Sequence, residues 1–414
     1  MRAPRIRVLA TAGIAAVSFG SLVSGAAAGD NGTNPVEAGT EAYLSAYPQL
    51  STAQARAAAL GSDARRVIYD AAASDASSFG GAWFDPVTGL VNVAGTTDAA
   101  TKNAAALGRR YGVAVKAHKV ARSAAQLEQQ AARLRAGEGE IGQAAEGRVG
   151  IDVKTNEVVA AVPRGRRAAL QGKAAGVKVI DDPGTAVEPD YGCTSRSACD
   201  YTIRAGAIIW RSNSSTPWCS VGFTARNSVN TRYVYTAGHC TTGNGIGWGT
   251  GATAIGPMRS STDSGAIDAA IIEVTNSWFK YDSGGEIYFE DGGARTAPVK
   301  GVASSVGYMV AGETVCLSAN YTSPSATNPC GVLGSNSDAG VRGMARVDGV
   351  DACGGDSGGG WYWLSSSGNR YAYGIHSRSD TGCHGGAGGN RSWYSAIATV
   401  KSGFQPTLNV EIRP

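Results

Sequence analysis

The sequence predicts an α+β first half followed by an all-β second half. Three observations set that division. Glycine is abundant (58 of 414 residues) and only 17% of residues are charged, which suits extended strands and tight turns better than long helices. From Tyr201 onward, short apolar runs recur between Gly/Ser/Asn turns: Ala207–Trp210, Val221–Phe223, Tyr233–Thr236, Ala269–Val274 and Tyr371–Ile375. Before residue 189 the chain is Ala-rich and has stretches of helical spacing, and all eight cysteines lie later, between Cys193 and Cys383.

Taken in order, residues 1–28 have the form of an export signal. Arg2, Arg5 and Arg7 precede an apolar run, Val8 to Val23, and Ala26-Ala27-Ala28 offers a small-residue cleavage site before Gly29. The run holds Ser, Thr and Gly and is short for a membrane span, so cleavage is expected rather than anchoring, and the mature chain is expected outside the cell. A first domain is assigned to 29–189. Within it, Ser51 caps a helix through Leu60 that stops at Gly61. A second helix covers Asp98–Leu107, with Gly108 as its stop, and a third covers Arg122–Arg135, ending at Gly137. Two hairpins interrupt them, Trp83–Val91 and Gly150–Val159, each with apolar flanks around a turn. Asp85 and Asp152 each precede a threonine by three residues and a valine by six, a weak internal repeat that suggests two small α+β lobes. Residues 165–190 read as a junction: Arg164-Gly165-Arg166-Arg167 is basic, and Asp181-Asp182-Pro183-Gly184 is turn-rich. The second domain is 190–414.

The formal charge of +4 excludes little, because three of those charges are the N-terminal arginines. Residues 190–414 carry 16 basic and 16 acidic side chains, which leaves no electrostatic footprint for nucleic acid. An even number of cysteines in an exported chain implies disulfides. A zinc site is disfavoured because the spacings do not repeat as C-x-x-C pairs, and no metal is expected.

Chemistry concentrates at Cys353-Gly354-Gly355-Asp356-Ser357-Gly358-Gly359. Glycines allow backbone amides to converge on one point, and converging amides can receive a developing oxyanion. Ser357 then needs a base. The four histidines are His118, His239, His376 and His384. His239 follows an apolar run in Tyr235-Thr236-Ala237-Gly238-His239-Cys240. An acid that could orient it, Asp268, leads into the apolar run Ala269–Ile272, and Asp263 is its nearest rival. Gly355–Gly359 also satisfies G-x-S-x-G, the nucleophile elbow of α/β-hydrolases. That fold needs Ser, acid, then His on separate strands. After Ser357 only Asp380 with His376 or His384 is available, within a few residues, and no strand–helix alternation surrounds the serine.

The order His239, Asp268, Ser357, with T-A-G-H-C and G-D-S-G-G, resembles the chymotrypsin-like serine peptidases, in particular the secreted bacterial streptogrisin and α-lytic protease group. The resemblance implies a double six-stranded β-barrel with a Ser-His-Asp triad in the cleft. Gly355 and Ser357 would supply the oxyanion amides, and protein or peptide would be the substrate, with no cofactor. It also implies the bridges Cys219–Cys240, Cys353–Cys383 and Cys316–Cys330, leaving Cys193 with Cys199. Segments within 60–165 resemble the α-lytic protease-type pro-region. Residues 29–189 are thus expected to assist folding, inhibit the enzyme, and then be cleaved away; a separate adhesive module is the alternative. A monomer is expected. Two specificity signals conflict. Asp351, six residues before Ser357, occupies the position where trypsin-like members bind substrate Arg or Lys. Gly374-Ile375-His376-Ser377 resembles glutamate-specific members, in which the histidine meets a substrate carboxylate. Arg/Lys is preferred here, with Glu as the alternative. Ser377 to Ser379 would pair with substrate backbone. A non-catalytic binding protein of the same fold is the rival outside enzymes.

Overall fold

The computed structural model of the chain describes residues 34–182, 203–212, 219–241, 244–251, 253–280, 284–288, 296–319, 328–380 and 390–413. The export signal, the residues 183–202 that hold the last part of the expected junction, and Cys193, Cys199, Cys383 and His384 lie outside them, while the first part of that junction, 165–182, is folded.

The N-terminal region comprises α1 (Pro35–Ala46), α2 (Thr52–Leu60), α3 (Ser62–Ala73), β1 (Phe79–Asp85), β2 (Leu90–Gly95), α4 (Asp98–Tyr111), β3 (Val115–Lys119), α5 (Ala124–Arg135), α6 (Gly139–Ala145), β4 (Val149–Asp152), β5 (Glu157–Val162), α7 (Arg167–Leu170) and β6 (Val177–Asp181). Two of the three expected helices, α2 and α5, start at capping boxes, and α4 starts at a simple cap, Thr97 Oγ1 accepting from the Ala100 amide at 3.1 Å. Ser51 and Gln54 satisfy each other's backbone N–H at 3.3 and 3.0 Å, and Ser123 and Gln126 do the same at 3.3 and 2.8 Å. Gly108 is not a stop. It lies inside α4, which runs on to a left-handed Gly112 (φ 65°). A Cβ at Gly108 would come within 2.6 Å of Val115 Cγ2, so this glycine serves the close approach of helix and strand.

The internal repeat has a structural counterpart. β1 and β2 pair antiparallel and β3 joins β2 in parallel; β4, β5 and β6 repeat that order. Asp85 Oδ1 accepts from the amides of Val87 (3.0 Å) and Thr88 (3.4 Å). Asp152 Oδ1 accepts from those of Lys154 (2.9 Å) and Thr155 (3.4 Å). The recurrent aspartate is thus the cap of the same Asx turn.

The second half contains β7 (Ile208–Arg211), β8 (Cys219–Ser220), β9 (Thr224–Arg226), β10 (Arg232–Thr236), β11 (Gly247–Thr250), β12 (Thr253–Ser264), β13 (Ile267–Glu273), α8 (Ser277–Lys280), β14 (Glu286–Tyr288), β15 (Thr296–Val302), β16 (Thr314–Ser318), β17 (Cys330–Asp338), β18 (Met344–Asp348), β19 (Gly360–Leu364), β20 (Arg370–Ser379), β21 (Arg391–Ala396), α9 (Ile397–Ser402) and β22 (Asn409–Val410). Its strands form two sheets. In the first, β9-β10-β13-β12-β11-β7-β8 follow in order. β8 and β9 are the two ends of one segment, so the sheet closes on itself. Val221 N–H to Ala207 O and Gly222 N–H to Tyr235 O, both short, carry that segment from one neighbour to the other. In the second, β20-β19-β16-β17-β18-β21 closes through the β20–β21 pairing. The expected pair of six-stranded antiparallel barrels is therefore present. Apolar side chains alternate inward to fill each one: Ile209, Val234, Trp248, Met258 and Ile272 in the first, and Leu317, Leu333, Val347, Trp361 and Tyr373 in the second.

The C-terminal tail is structural. β22 pairs with β9, and Glu411 receives Arg226 Nε at 2.5 Å and Arg232 Nε at 3.0 Å, which seals the end of the first barrel. Among the described residues no helix is long and apolar enough to cross a membrane.

Candidate active site

His239 lies in the turn that follows β10, and Asp268 is the second residue of β13. These strands pair antiparallel, Thr236 opposite Ala270, so both side chains emerge at the same end of the first barrel. The Cys219–Cys240 disulfide ties the histidine turn to β8; Cys316–Cys330 links β16 to β17. Cys353 is also disulfide-bonded, and its expected partner Cys383 lies outside the described residues.

Ser357 comes from the turn between β18 and β19 of the second barrel. Two features hold that turn against the first barrel: Ser220 Oγ donates to Gly355 O (2.8 Å) and Ser220 N–H donates to Ser357 O (2.8 Å). The approach is close enough to demand glycine. Gly355 and Gly358 have φ of 96° and 88°, and a Cβ at Gly358 would lie 2.2 Å from Thr236 Oγ1. Asp356 is fully buried, and its carboxylate accepts the Cys353 amide at 2.7 Å. The amides of Gly355 and Ser357 make no hydrogen bond within the described residues.

The three side chains meet. His239 Nε2 is 2.8 Å from Ser357 Oγ, and His239 Nδ1 is 2.7 Å from Asp268 Oδ2. A carboxylate only accepts, so the proton sits on Nδ1 and Nε2 is left to accept from the serine hydroxyl. Asp268 is completely buried, and every oxygen has a donor. Oδ1 accepts the His239 amide at 2.9 Å, and Oδ2 also accepts Ser377 Oγ at 2.5 Å. Burial by itself raises the Asp268 carboxyl; His239 and Ser377 outweigh it and hold the group down at about 2. The backbone amide of Asp268 is capped from the second barrel by Ser395 Oγ at 2.7 Å. Asp263, the rival acid, is turned instead to Arg342 at 2.5 Å.

This buried carboxylate makes a prediction. Its value lies below the ordinary 3.8, so the stability it contributes is present above pH 4 and is lost as pH falls toward 2. Asp268→Asn is expected to remove about 2 kcal/mol of the acid-dependent loss between those limits. Urea unfolding at pH 5, 3 and 2 measures it, and an unchanged pH slope would contradict the assignment.

The specificity candidates separate by location. Asp351 is partly exposed in the segment between β18 and β19, and Ser379 Oγ donates to the neighbouring Ala352 O (2.8 Å), which brings the end of β20 beside it. His376 is fully buried. Its Nδ1 accepts from Trp361 Nε1 at 3.2 Å, and its Nε2 has no hydrogen-bond partner among the described residues. Burial first, and the neighbouring His239 second, push His376 down to about 3, so it is neutral. The pairing of β20 with β19 ends at Ile375, so among the described residues Ser377–Ser379 keeps one edge without a strand. The side chain of Ser377 is committed to Asp268. Ser220 and Ser395 are not legible in the sequence as site residues, because single serines carry no local signal; Arg378 lies in the expected substrate-pairing segment, but nothing in the sequence places its side chain beside Asp268. His118 is remote, bonded to Asn92 (2.9 Å) within the N-terminal region.

Among the described residues no group of three or more His, Cys, Asp or Glu is arranged to hold a metal. No protein-family model matches the chain, and no curated protein matches it. Solved structures do resemble it. A Nocardiopsis protease is 24% identical over 51% of this chain and 99% of its own, with a TM-score of 0.38. Thermobifida fusca protease A is 24% identical over 51% of this chain and 100% of its own, at 0.38. A glutamic acid specific serine protease that uses a histidine triad in substrate binding is 24% identical over 50% and 100%, at 0.39.

Proposed function

We propose that the chain is a secreted serine endopeptidase made as a precursor with its own folding assistant. The carrying observation is the continuous line from Ser357 Oγ to His239 Nε2 (2.8 Å) and from His239 Nδ1 to Asp268 Oδ2 (2.7 Å), built from both barrels. In this reading Ser357 attacks a peptide carbonyl while His239 takes its proton. The amides of Gly355 and Ser357 receive the oxyanion; loss of one such donor costs about 10²–10³ in kcat. His239 then protonates the leaving amine, and a water, activated by the same imidazole, releases the acyl group from Ser357. Asp268, ionised and fully bonded, fixes the tautomer and offsets the imidazolium charge.

The P1 preference proposed is Arg or Lys. Asp351 supplies a carboxylate beside the end of β20, whereas selectivity for Glu needs a cation. His376 is neutral and already accepts from Trp361, so it offers only one neutral N–H. Glutamate remains the alternative.

Residues 29–189 are proposed as pro-region. The support is their extensive docking on the second barrel. Phe84 N–H donates to Ala311 O at 2.8 Å, Asp63 accepts from Ser366 Oγ (2.7 Å) and the Ser367 amide (2.9 Å), and Arg65 forms a buried ion pair with Glu313 at 2.7 Å. Barrels built from non-local pairings fold slowly, and a preformed surface that matches the second barrel can lower that barrier.

Two measurements test the reading. Processed protein is expected to be labelled at Ser357 by a fluorophosphonate, and a peptide library is expected to show cleavage mainly after Arg and Lys. A folded, processed protein that takes up no label is a binding protein rather than an enzyme. Cleavage after Glu instead would move the assignment from Asp351 to His376.

A further inference from the structure

Behind Asp268 lies a row of charges that the proposed reaction does not itself use. Asp263 on β12 is the cross-strand partner of Asp268 on β13, which places two carboxylates side by side on one hairpin. Directly opposed like charges destabilise a sheet unless a cation separates them. Arg378, at the end of β20, reaches between them. Its Nη2 is 3.5 Å from Asp263 Oδ1 and 3.9 Å from Asp268 Oδ2. Its Nε donates to Ser377 Oγ at 3.1 Å, the same hydroxyl that donates to Asp268 Oδ2 at 2.5 Å. On the outer side Asp263 is held by Arg342 at 2.5 Å, from the turn between β17 and β18. From the outside inward the signs alternate: Arg342, Asp263, Arg378, Asp268, then His239.

We infer that Arg378, seated by Asp263 and Arg342, is a positioning residue of the triad: it orients Ser377 against Asp268 and holds down the affinity of His239 for a proton. This rests on the triad reading above. The physical case has two parts. The Ser377 hydroxyl has one proton; a donor on its lone pair leaves that proton to point at Asp268, and the bond strengthens through polarisation. The guanidinium also competes for the carboxylate charge that would otherwise stabilise an imidazolium, and it repels that imidazolium directly. Among the described residues, the other ionisable groups facing the pair are His376, Asp263 and Arg342. His376 on β20 is neutral, and Asp263 and Arg342 largely cancel one another. Arg378 is only 13% exposed, so screening by solvent is incomplete. The consequence is a general base that takes up its proton at lower pH than it would without Arg378.

The test reads the imidazole rather than cleavage. In the full chain carrying Ser357→Ala and ¹⁵N-labelled histidine, the ring of His239 is titrated by NMR, with assignment by His239→Gln. Arg378→Gln is expected to move the His239 midpoint upward by about 0.5–1 pH unit, the size expected for one charge a few ångströms beyond a carboxylate. Arg378→Lys, which keeps the charge, is expected to stay within about 0.3 unit of the parent. Asp263→Asn, which leaves Arg378 less compensated, is expected to move it downward. Midpoints that do not move, or Arg378→Gln and Asp263→Asn shifting in the same direction, would overturn the inference; the latter is the mark of a site merely loosened. The titration needs no turnover. An unsubstituted chain that fails to cleave peptides therefore counts against the proposed function alone, and an unmoved midpoint against the charge row alone.

Discussion

Ser357→Ala is expected to lower kcat/KM for peptide hydrolysis by about 10⁶-fold while leaving the fold intact. The magnitude follows from the way the three groups act as a unit. Without the hydroxyl, His239 has nothing to activate, and the converging amides around Gly355 can assist only a water that the site does not hold in line. Asp268→Asn is expected to be nearly as damaging, about 10⁴-fold. A neutral amide in the same pocket donates as well as accepts, and it favours the tautomer with its proton on Nε2, facing the serine. The fold should survive Ser357→Ala because the turn is held by backbone contacts, Ser220 N–H to Ser357 O among them, which the substitution does not touch. Steady-state assays on processed protein measure the loss. A Ser357→Ala protein within tenfold of the parent would remove the serine from the chemistry.

Glu313→Ala is expected to destabilise the intact chain by about 3–5 kcal/mol, because it strands a buried arginine. Arg65 and Glu313 are 5% and 3% exposed, and they pair through two parallel bonds of 2.7 Å. Tyr69 donates to Glu313 at 2.8 Å, and Tyr43 accepts from Arg65 at 3.2 Å while donating to Gly312 O at 3.0 Å. The guanidinium also lies 3.7 Å over the ring of Phe84. Burial alone would lower the Arg65 guanidinium, but Glu313 more than reverses that and holds it above its ordinary value. Removing Glu313 alone therefore leaves a buried charge and the Tyr69 hydroxyl without their acceptor, whereas removing both partners leaves no uncompensated charge. The double variant Arg65→Met, Glu313→Leu is expected to recover most of the loss. If the ion pair holds the N-terminal region on the barrel, Glu313→Ala should also weaken that region's hold after cleavage by about 10²–10³-fold. Urea midpoints in the Ser357→Ala background and inhibition by the detached region are the measurements. A loss below 1 kcal/mol, or a double variant no better than the single, would show that the contact does not carry the interface.

The two halves differ in how much of them could be read beforehand. Capping boxes made α2 and α5 visible, and turn chemistry made both N-terminal hairpins visible, since Ser51, Ser123, Asp85 and Asp152 act on backbone within three residues of themselves. α3 was hidden. Its buried face carries Arg65, Arg66 and Tyr69, and those polar residues look like a solvent face until Glu313 is brought against them. Gly108 differs from its expected role as a helix stop for a related reason: its role is set by Val115, on a strand that follows the helix.

The same division runs through the site. Residue types and local spacing pointed to the three proposed reactive groups, because T-A-G-H-C and G-D-S-G-G are short contiguous strings, although Gly238 and Gly358 are also required by contacts with Thr262 and Thr236 elsewhere in the chain. Folding alone decided their surroundings: Ser377 and Ser395 against Asp268, Ser220 under the serine turn, and Arg378 between two carboxylates. Each of those contacts joins segments more than a hundred residues apart, and a lone polar side chain carries no mark of which barrel it will face. Local chemistry is written in short stretches of chain; electrostatic balance is a property of the space into which they close.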